Sequence, residues 1–418
     1  MAHIRALSTA VAIGGLVALG SAPAAAQTAE VLHYWTSGGE ARAVAALQQE
    51  FEAAGGTWID SPVAGGGGDA QATVLRARVL AGDPPTAVQI KGPNIQDWAA
   101  EGALANLDEV AAAEGWDEIL PPLLRDIVTY EGHYVAVPVN IHRVNWLWVN
   151  PALLEQAGVA VPTTWDEFNA AADALLAAGI TPLAHGGQPW QDATVFETVV
   201  LGLGGADFYR QALVDLDPDA LTSDTMIAVF EQMRRLSGYV DPNFPGREWN
   251  LATRMVMNGE AAMQIMGDWA KGEFAAAELQ PGSDYLCVPT PGAAGYILNS
   301  DSFAFFKVEG EDRIAGQRLL ASLILGTDFQ ETFNLFKGSI PARNDVPPDA
   351  FDACAVRSMD DLAQAVAADS LVPSMAHEIA IGRAARGAFL DVVTEHFNSD
   401  MTAEEAVERL VEEVELAQ

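Results

Sequence analysis

Trp35 in "HYWTSGGE", Trp249 in "REWN" and Trp269 in "GDWAKGE" each stand close to Gly, Asn, Asp or Glu and not within an apolar helix face. An indole is a flat apolar surface on which the C–H face of a saturated ring can lie. The hydroxyls of such a ring must be paired, because burying them without partners is costly. Asp, Asn, Glu, Lys and His supply the partners. A cation beside a carboxylate lets each hydroxyl both donate and accept. Any one of these tryptophans alone is better explained by core packing. Together, in polar surroundings, they point to a polar, uncharged, ring-shaped ligand such as a sugar.

Other chemistry finds less support. "GGGG" at Gly65 to Gly68 is not followed by Gly-Lys-Ser/Thr, so it reads as a turn into a helix and not as a phosphate loop. There is no Gly-x-Ser-x-Gly elbow and no His-Glu-x-x-His. A glycosidase needs two opposed carboxyls, and with 57 acidic residues the sequence neither nominates nor excludes a pair. His142 in "NIHRVNW" and His185 in "AHGGQPW" lack metal-ligand spacing and read as structural. Two cysteines are too few for a four-thiolate zinc site. In an oxidising compartment Cys287 and Cys354 are expected to bridge.

These side chains need a frame. "AEVLHYW", "GTWIDSPVA" and "PTAVQIK" read as strands, separated by the helical stretches "EARAVAALQQEFEAAGG" and "DAQATVLRARVLAGDPP". This β-α-β-α-β order predicts an α/β layer with a mostly parallel sheet. In such sheets ligands bind beyond the carboxyl ends of the strands. Those ends carry Tyr34-Trp35, and Gln89 with Lys91. A second block begins near "EGHYVAVPVNIHRVNWLWVN", where Pro138 and a polar-apolar alternation suggest a strand crossing between lobes. "TTWDEFNAAADALLAAG" carries Thr164 and Glu167 in the capping-box pattern. Helices are expected through "SDTMIAVFEQMRRLSGYV" and "NLATRMVMNGEAAMQIM". "GYILNSDSFAFFKV" is expected as one returning strand, followed by paired helices in "DRIAGQRLLASLILGTDFQETFNLF". No repeat or low-complexity linker separates independent domains, so several crossings should join the lobes.

Residues 1–26 have a basic start, a short apolar run and Ala24-Ala25-Ala26, the pattern of a secretory signal peptide. The apolar run falls well short of the roughly 20 residues that span a bilayer. The rest of the chain loses one arginine from the full charge of −35 and stands at −36. So acidic a chain is a poor partner for nucleic acid or an anionic membrane. It fits equally a salt-rich surrounding or a merely acidic exported protein. Lysine is scarce, confined to Lys91, Lys271, Lys307 and Lys337, which draws attention to each.

The segments "HYWTSGGE", "VAGGGGDAQATVLRARVLAGDPPTAVQIKGP", "EGHYVAVPVNIHRVNWLW", "AHGGQPWQDATVFE", "REWNLA", "AAMQIMGDWAKGE", "FKGSIPAR" and "PSMAHEIA" closely resemble bacterial glucose-binding proteins, the extracytoplasmic solute-binding proteins of ABC-type sugar importers. The resemblance runs over essentially the whole chain after residue 26. It implies the type II periplasmic binding protein fold, two α/β lobes joined by a multi-strand hinge. Residues 27–137 and 301–342 would form the first lobe, and 138–300 and 343–418 the second. One monosaccharide, glucose before mannose or galactose, would lie in the cleft, and the lobes would close on it.

The resemblance also implies roles for single residues. Trp35 belongs to the sugar platform, with Glu40 bonding hydroxyls from the same loop. Gln89 and Lys91 read the sugar from the third strand. Trp249 and Trp269 stack from the second lobe. Asn299 and Asp301 accept hydroxyl protons, and Lys337 and His377 complete the polar ring, with Lys337 and Asp301 sharing a hydroxyl. Tyr34 departs from relatives that carry a second tryptophan there; it keeps a stacking face and adds a hydroxyl. No cofactor or metal is expected. The expected partners are the importer's membrane subunits, and the expected state is a periplasmic monomer. A sugar-modifying enzyme and a chemoreceptor-coupled sensor are the alternatives.

Overall fold

The computed structural model describes residues 27–292 and 295–418, so the expected signal peptide lies outside the described residues. The strands run in chain order as β1 (Gln27–His33), β2 (Gly56–Pro62), β3 (Ala87–Ile90), β4 (Thr129–Tyr130), β5 (His133–Tyr134), β6 (Ala136–Pro138), β7 (His142–Arg143), β8 (Trp146–Val149), β9 (Thr181–Leu183), β10 (Ala261–Ile265), β11 (Leu286–Pro289), β12 (Tyr296–Asn299), β13 (Ser302–Phe305) and β14 (Leu371–Pro373).

A five-stranded sheet of order β2-β1-β3-β13-β6 anchors the first lobe. β1 is parallel to β2 and β3, whereas β13 runs antiparallel to β3 and β6. Register then decides which side chains meet. Ser302 pairs with Ile90 and with Pro138. Asp301 therefore stands beside Lys91 at the edge where β1 delivers Tyr34 and Trp35. Pro138 stays in this sheet, one residue beyond the boundary expected for the first lobe.

A four-stranded sheet of order β11-β8-β10-β9 anchors the second lobe. β9 and β10 are parallel, so the loops leading to Trp190 and Trp269 emerge on one side. A three-stranded sheet has the order β14-β12-β7. There Asn299 pairs with His142, and Leu298 with Pro373. Three buried apolar clusters follow this division. One contains Leu32, Phe51 and Phe303, a second Trp148, Phe196 and Met263, and a third Ile141, Leu298 and Ile340.

Local structure departs from the sequence reading in three places. "GYILNSDSFAFFKV" is two strands, because the chain leaves one sheet for another at Ser300-Asp301. The Asn140 side chain accepts from the Asp301 amide at 2.9 Å, and Ser300 Oγ donates to the Asn140 carbonyl at 2.7 Å, which fixes the break. "NLATRMVMNGEAAMQIM" ends its helix at Met257, and "AAMQI" is the strand β10. Every β10 residue is buried, so the alternation that marks a half-exposed strand is missing. The Thr164 hydroxyl does cap its helix, accepting from the Glu167 amide at 3.2 Å. The Glu167 carboxylate, however, turns back to Thr163 and not to Thr164.

Cys287 on β11 and Cys354 in helix Ala353–Ala367 are joined by a disulfide across 67 residues of chain. In the chain-entropy account a loop of that length contributes about 4 kcal/mol. Urea denaturation with and without reductant should show a loss of that order. An unchanged midpoint would remove the bridge from the stability of the fold.

Candidate functional site

The loops that the three sheets bring together enclose a cavity of about 240 Å³. Among its walls are all the expected ligand residues except Gln89: Tyr34, Trp35, Glu40, Lys91, Trp249, Trp269, Asn299, Asp301, Lys337 and His377. Gln89 stands one layer back, fully buried, and its amide donates to Asp301 Oδ1 at 2.9 Å. As the second residue from the end of β3 it lies inside the sheet, while Lys91, just past the strand, reaches the cavity.

The aromatic walls have a common origin. Trp249 and Trp269 are the first residues of helices Trp249–Met257 and Trp269–Ala276, and Trp190 is the second of Pro189–Leu213. Their polar sequence neighbours are helix starts. Trp269 meets His377 at 4.9 Å and His142 at 5.3 Å between ring centres, both edge to face. Trp35 plays two parts. It is packed against Phe303 and Phe333 in the first core at 5.6 and 5.5 Å, yet it borders the cavity and its Nε1 has no partner among the described residues. Gly68 lets Tyr34 sit where it does: its φ is +112°, and a Cβ there would lie 2.9 Å from the Tyr34 ring.

Asp301 is the most heavily bonded carboxylate of the cavity wall. Oδ1 accepts from Gln89 at 2.9 Å, with the Tyr34 hydroxyl at 3.5 Å. Oδ2 accepts from Asn140 at 3.1 Å and from His142 Nε2 at 3.0 Å. Burial pushes its pKa up, but His142, Lys337 and Lys91 outweigh burial and hold the carboxyl well below the usual range. His142 Nδ1 meets Asp268. Burial pushes the imidazole down, yet the two carboxylates win and raise it above its ordinary value. Carboxylates face both ring nitrogens, Asn140 Nδ2 also stands 2.9 Å from Nε2, and His142 bridges the lobes.

Lys337 does not pair with Asp301. Its ammonium lies 3.0 Å from Glu40 Oε1, because the end of helix Thr327–Lys337 abuts the first turn of helix Gly38–Ala53. Lys91 forms no ion pair among the described residues and stands 5.5 Å from the centre of the Tyr34 ring; burial lowers its pKa. Burial also takes His377 well below its ordinary value, so it is neutral, with Nε2 3.1 Å from Thr194 Oγ1. The Asn299 Oδ1 acceptor is buried without a partner among the described residues. The carboxylates of Glu40, Glu248 and Asp301 line the cavity with the ammoniums of Lys91 and Lys337 and the His142 imidazole. Groups of both signs thus stand together, and the site suits an uncharged ligand rich in hydroxyls.

The lobes meet around this cavity. The Gly39 amide donates to Glu273 Oε1 at 2.8 Å, Asn94 Nδ2 to Glu378 at 3.0 Å, and Arg386 to Asp69 at 3.2 Å. Sequence reasoning missed His142, Trp190 and Glu248 as cavity residues. His142 becomes visible only through its pairing with Asn299. Trp190 carried the same polar-neighbour signal as the other tryptophans.

Comparison with known proteins agrees with the architecture. The profile of the bacterial extracellular solute-binding protein family matches residues 35–307. A probable sugar-binding periplasmic protein of Rhizobium meliloti is 52% identical over 415 residues, 99% of this chain and 100% of that protein. One from Brucella suis is 53% identical over 392 residues, 94% of this chain and 93% of its own. Among solved structures, the solute receptor AcbH superposes with a TM-score of 0.79 at 18% identity, covering 93% of this chain and 99% of that one. A chitin oligosaccharide binding protein gives 0.78 at 20%, covering 94% and 99%. At such identities these two structures establish the fold alone: two α/β lobes of the type II binding-protein class.

Proposed function

We propose, since the chain belongs to the bacterial extracellular solute-binding protein family, that it captures one uncharged hexose in the periplasm and presents it to the membrane subunits of an ABC importer. D-Glucose is the first choice, with D-mannose and D-galactose next. The observation that carries this reading is the cavity itself. Three carboxylates, the ammoniums of Lys91 and Lys337 and the His142 imidazole line it between tryptophan walls. A polyol can donate to each carboxylate and accept from each ammonium without adding charge. A cavity of about 240 Å³ falls below the roughly 300–1,000 Å³ of pockets for drug-sized ligands, which favours one sugar ring over two. The choice of glucose rests on the resemblance of the residue set.

Binding shifts the lobes toward the closed form, which the importer can tell from the open one. No reaction is assigned. Calorimetry against D-glucose, D-mannose, D-galactose, D-xylose, maltose and D-glucuronate tests the reading. A hexose should bind most tightly, and glucuronate, which adds an unbalanced charge, at least about tenfold less. Preference for glucuronate or maltose, or turnover of any sugar, would overturn it. Trp269→Ala should weaken hexose binding by about 1.5–3 kcal/mol through lost apolar burial. Unchanged affinity in the folded variant would remove Trp269 from the platform.

A further inference from the structure

Glu197 lies in helix Pro189–Leu213, fully buried, and does not border the cavity. Its carboxylate nevertheless collects four donors. Oε1 accepts from Ser374 Oγ at 2.7 Å. Oε2 accepts from the Tyr209 hydroxyl at 2.8 Å and from the backbone amides of Met375 at 2.8 Å and Ala376 at 3.2 Å. Three of the four come from the turn that follows β14, and the next residue is His377. The His377 amide donates to Ser374 Oγ at 3.1 Å. One turn earlier on the same helix, Thr194 Oγ1 stands 3.1 Å from His377 Nε2. Residues three apart share a helix face. One face of this helix thus holds both the ring and the backbone of His377. From the other side, Arg386 Nε donates to the Ala376 carbonyl at 2.8 Å.

We infer that Glu197 is a positioning residue for ligand recognition: its carboxylate gathers the Ser374–Ala376 turn and so fixes where the His377 imidazole enters the cavity. This rests on the reading of the cavity as a hexose site with His377 at its wall. Burial pushes the Glu197 carboxyl up to about 7, even with its four hydrogen bonds drawing it down. A buried carboxyl is costly unless fully bonded, and here every bond but one is spent on shaping the turn. If the acceptor is lost, the Met375 amide keeps only the Tyr209 hydroxyl at 3.3 Å and the Ala376 amide has no other bond among the described residues. The turn must then move to find other partners, and His377 moves with it.

The test is a double-mutant cycle read by calorimetry with D-glucose, D-mannose and D-galactose. Glu197→Ala should weaken binding about tenfold or more, the cost of a buried donor left unpaired. Glu197→Gln should stay within about threefold of wild type, because its single oxygen can still accept both backbone amides while its amide faces Ser374 Oγ. Adding Glu197→Ala to His377→Ala should cost nothing further. The His377 imidazole resonances should move in Glu197→Ala and hold in Glu197→Gln. Additive losses in the cycle would overturn the inference alone. Unchanged binding in His377→Ala would overturn His377 as a ligand contact, and the inference with it. Should Glu197→Ala not fold, Ser374→Ala takes its place in the cycle, and additivity there counts equally against the inference.

Discussion

Asp301→Ala should cost about 3–5 kcal/mol of fold stability, the range for removing one partner of a buried ion pair, and should weaken hexose binding by at least about a hundredfold. The size follows from what the carboxylate holds. Gln89 in β3, Asn140 in the link after β6 and His142 in β7 all bond it. Truncation leaves each donor buried, and leaves His142 with Asp268 as its one carboxylate partner. Asp301→Asn should fare little better. Both oxygens face donors, so the new amide must point its N–H groups at one of them. The wild type's elevated His142 pKa gives the sign of the pH effect. Its stabilisation is fully present below about pH 6.5 and is lost as pH rises through the folded value. The gap between wild type and Asp301→Ala should therefore narrow at alkaline pH. Urea denaturation across pH measures it, and a gap that widens would show that His142 is neutral in the fold.

The second large effect belongs to Glu40 and Lys337. Glu40→Gln and Lys337→Met should each destabilise by about 3–5 kcal/mol, because each strands a buried charge. The double variant should regain most of that loss, since no unpaired charge remains. Hexose binding should not return, because the neutral bonds of an amide are weaker than the charge-assisted bonds of the pair and the thioether donates none. Denaturation and calorimetry on the same three variants separate the two readouts. Stability losses that simply add would contradict a direct pair at this position.

The sequence pointed to the site wherever local pattern met a topological rule. Tyr34-Trp35 and Lys91 follow apolar strands in a β-α-β order, and parallel strands bring their carboxyl ends to one edge. The break at Ser300-Asp301 was illegible, because apolar residues flank it on both sides and only two different sheets distinguish them. β10 hid for a related reason: buried on both faces, it lacks the period of two. His142 and Glu197 had no local signature at all. His142 owes its place to pairing with Asn299 and to carboxylates far along the chain. Glu197 owes its environment to a turn 177 to 179 residues away. The partnership of Lys337 with Glu40 spans 297 residues and depends on how two helices abut.

The bond from the Gly39 amide to Glu273 has a consequence for signalling fidelity. It joins the lobes directly, with no ligand atom taking part. A hydrogen bond worth about 1 kcal/mol multiplies the closed population about fivefold. That factor raises apparent affinity and ligand-free closure together, since both draw on the same equilibrium. An importer that recognises the closed shape then receives more false messages for every gain in capture. The strength of this one contact is therefore a compromise between sensitivity and noise, set by residues that need never touch the sugar.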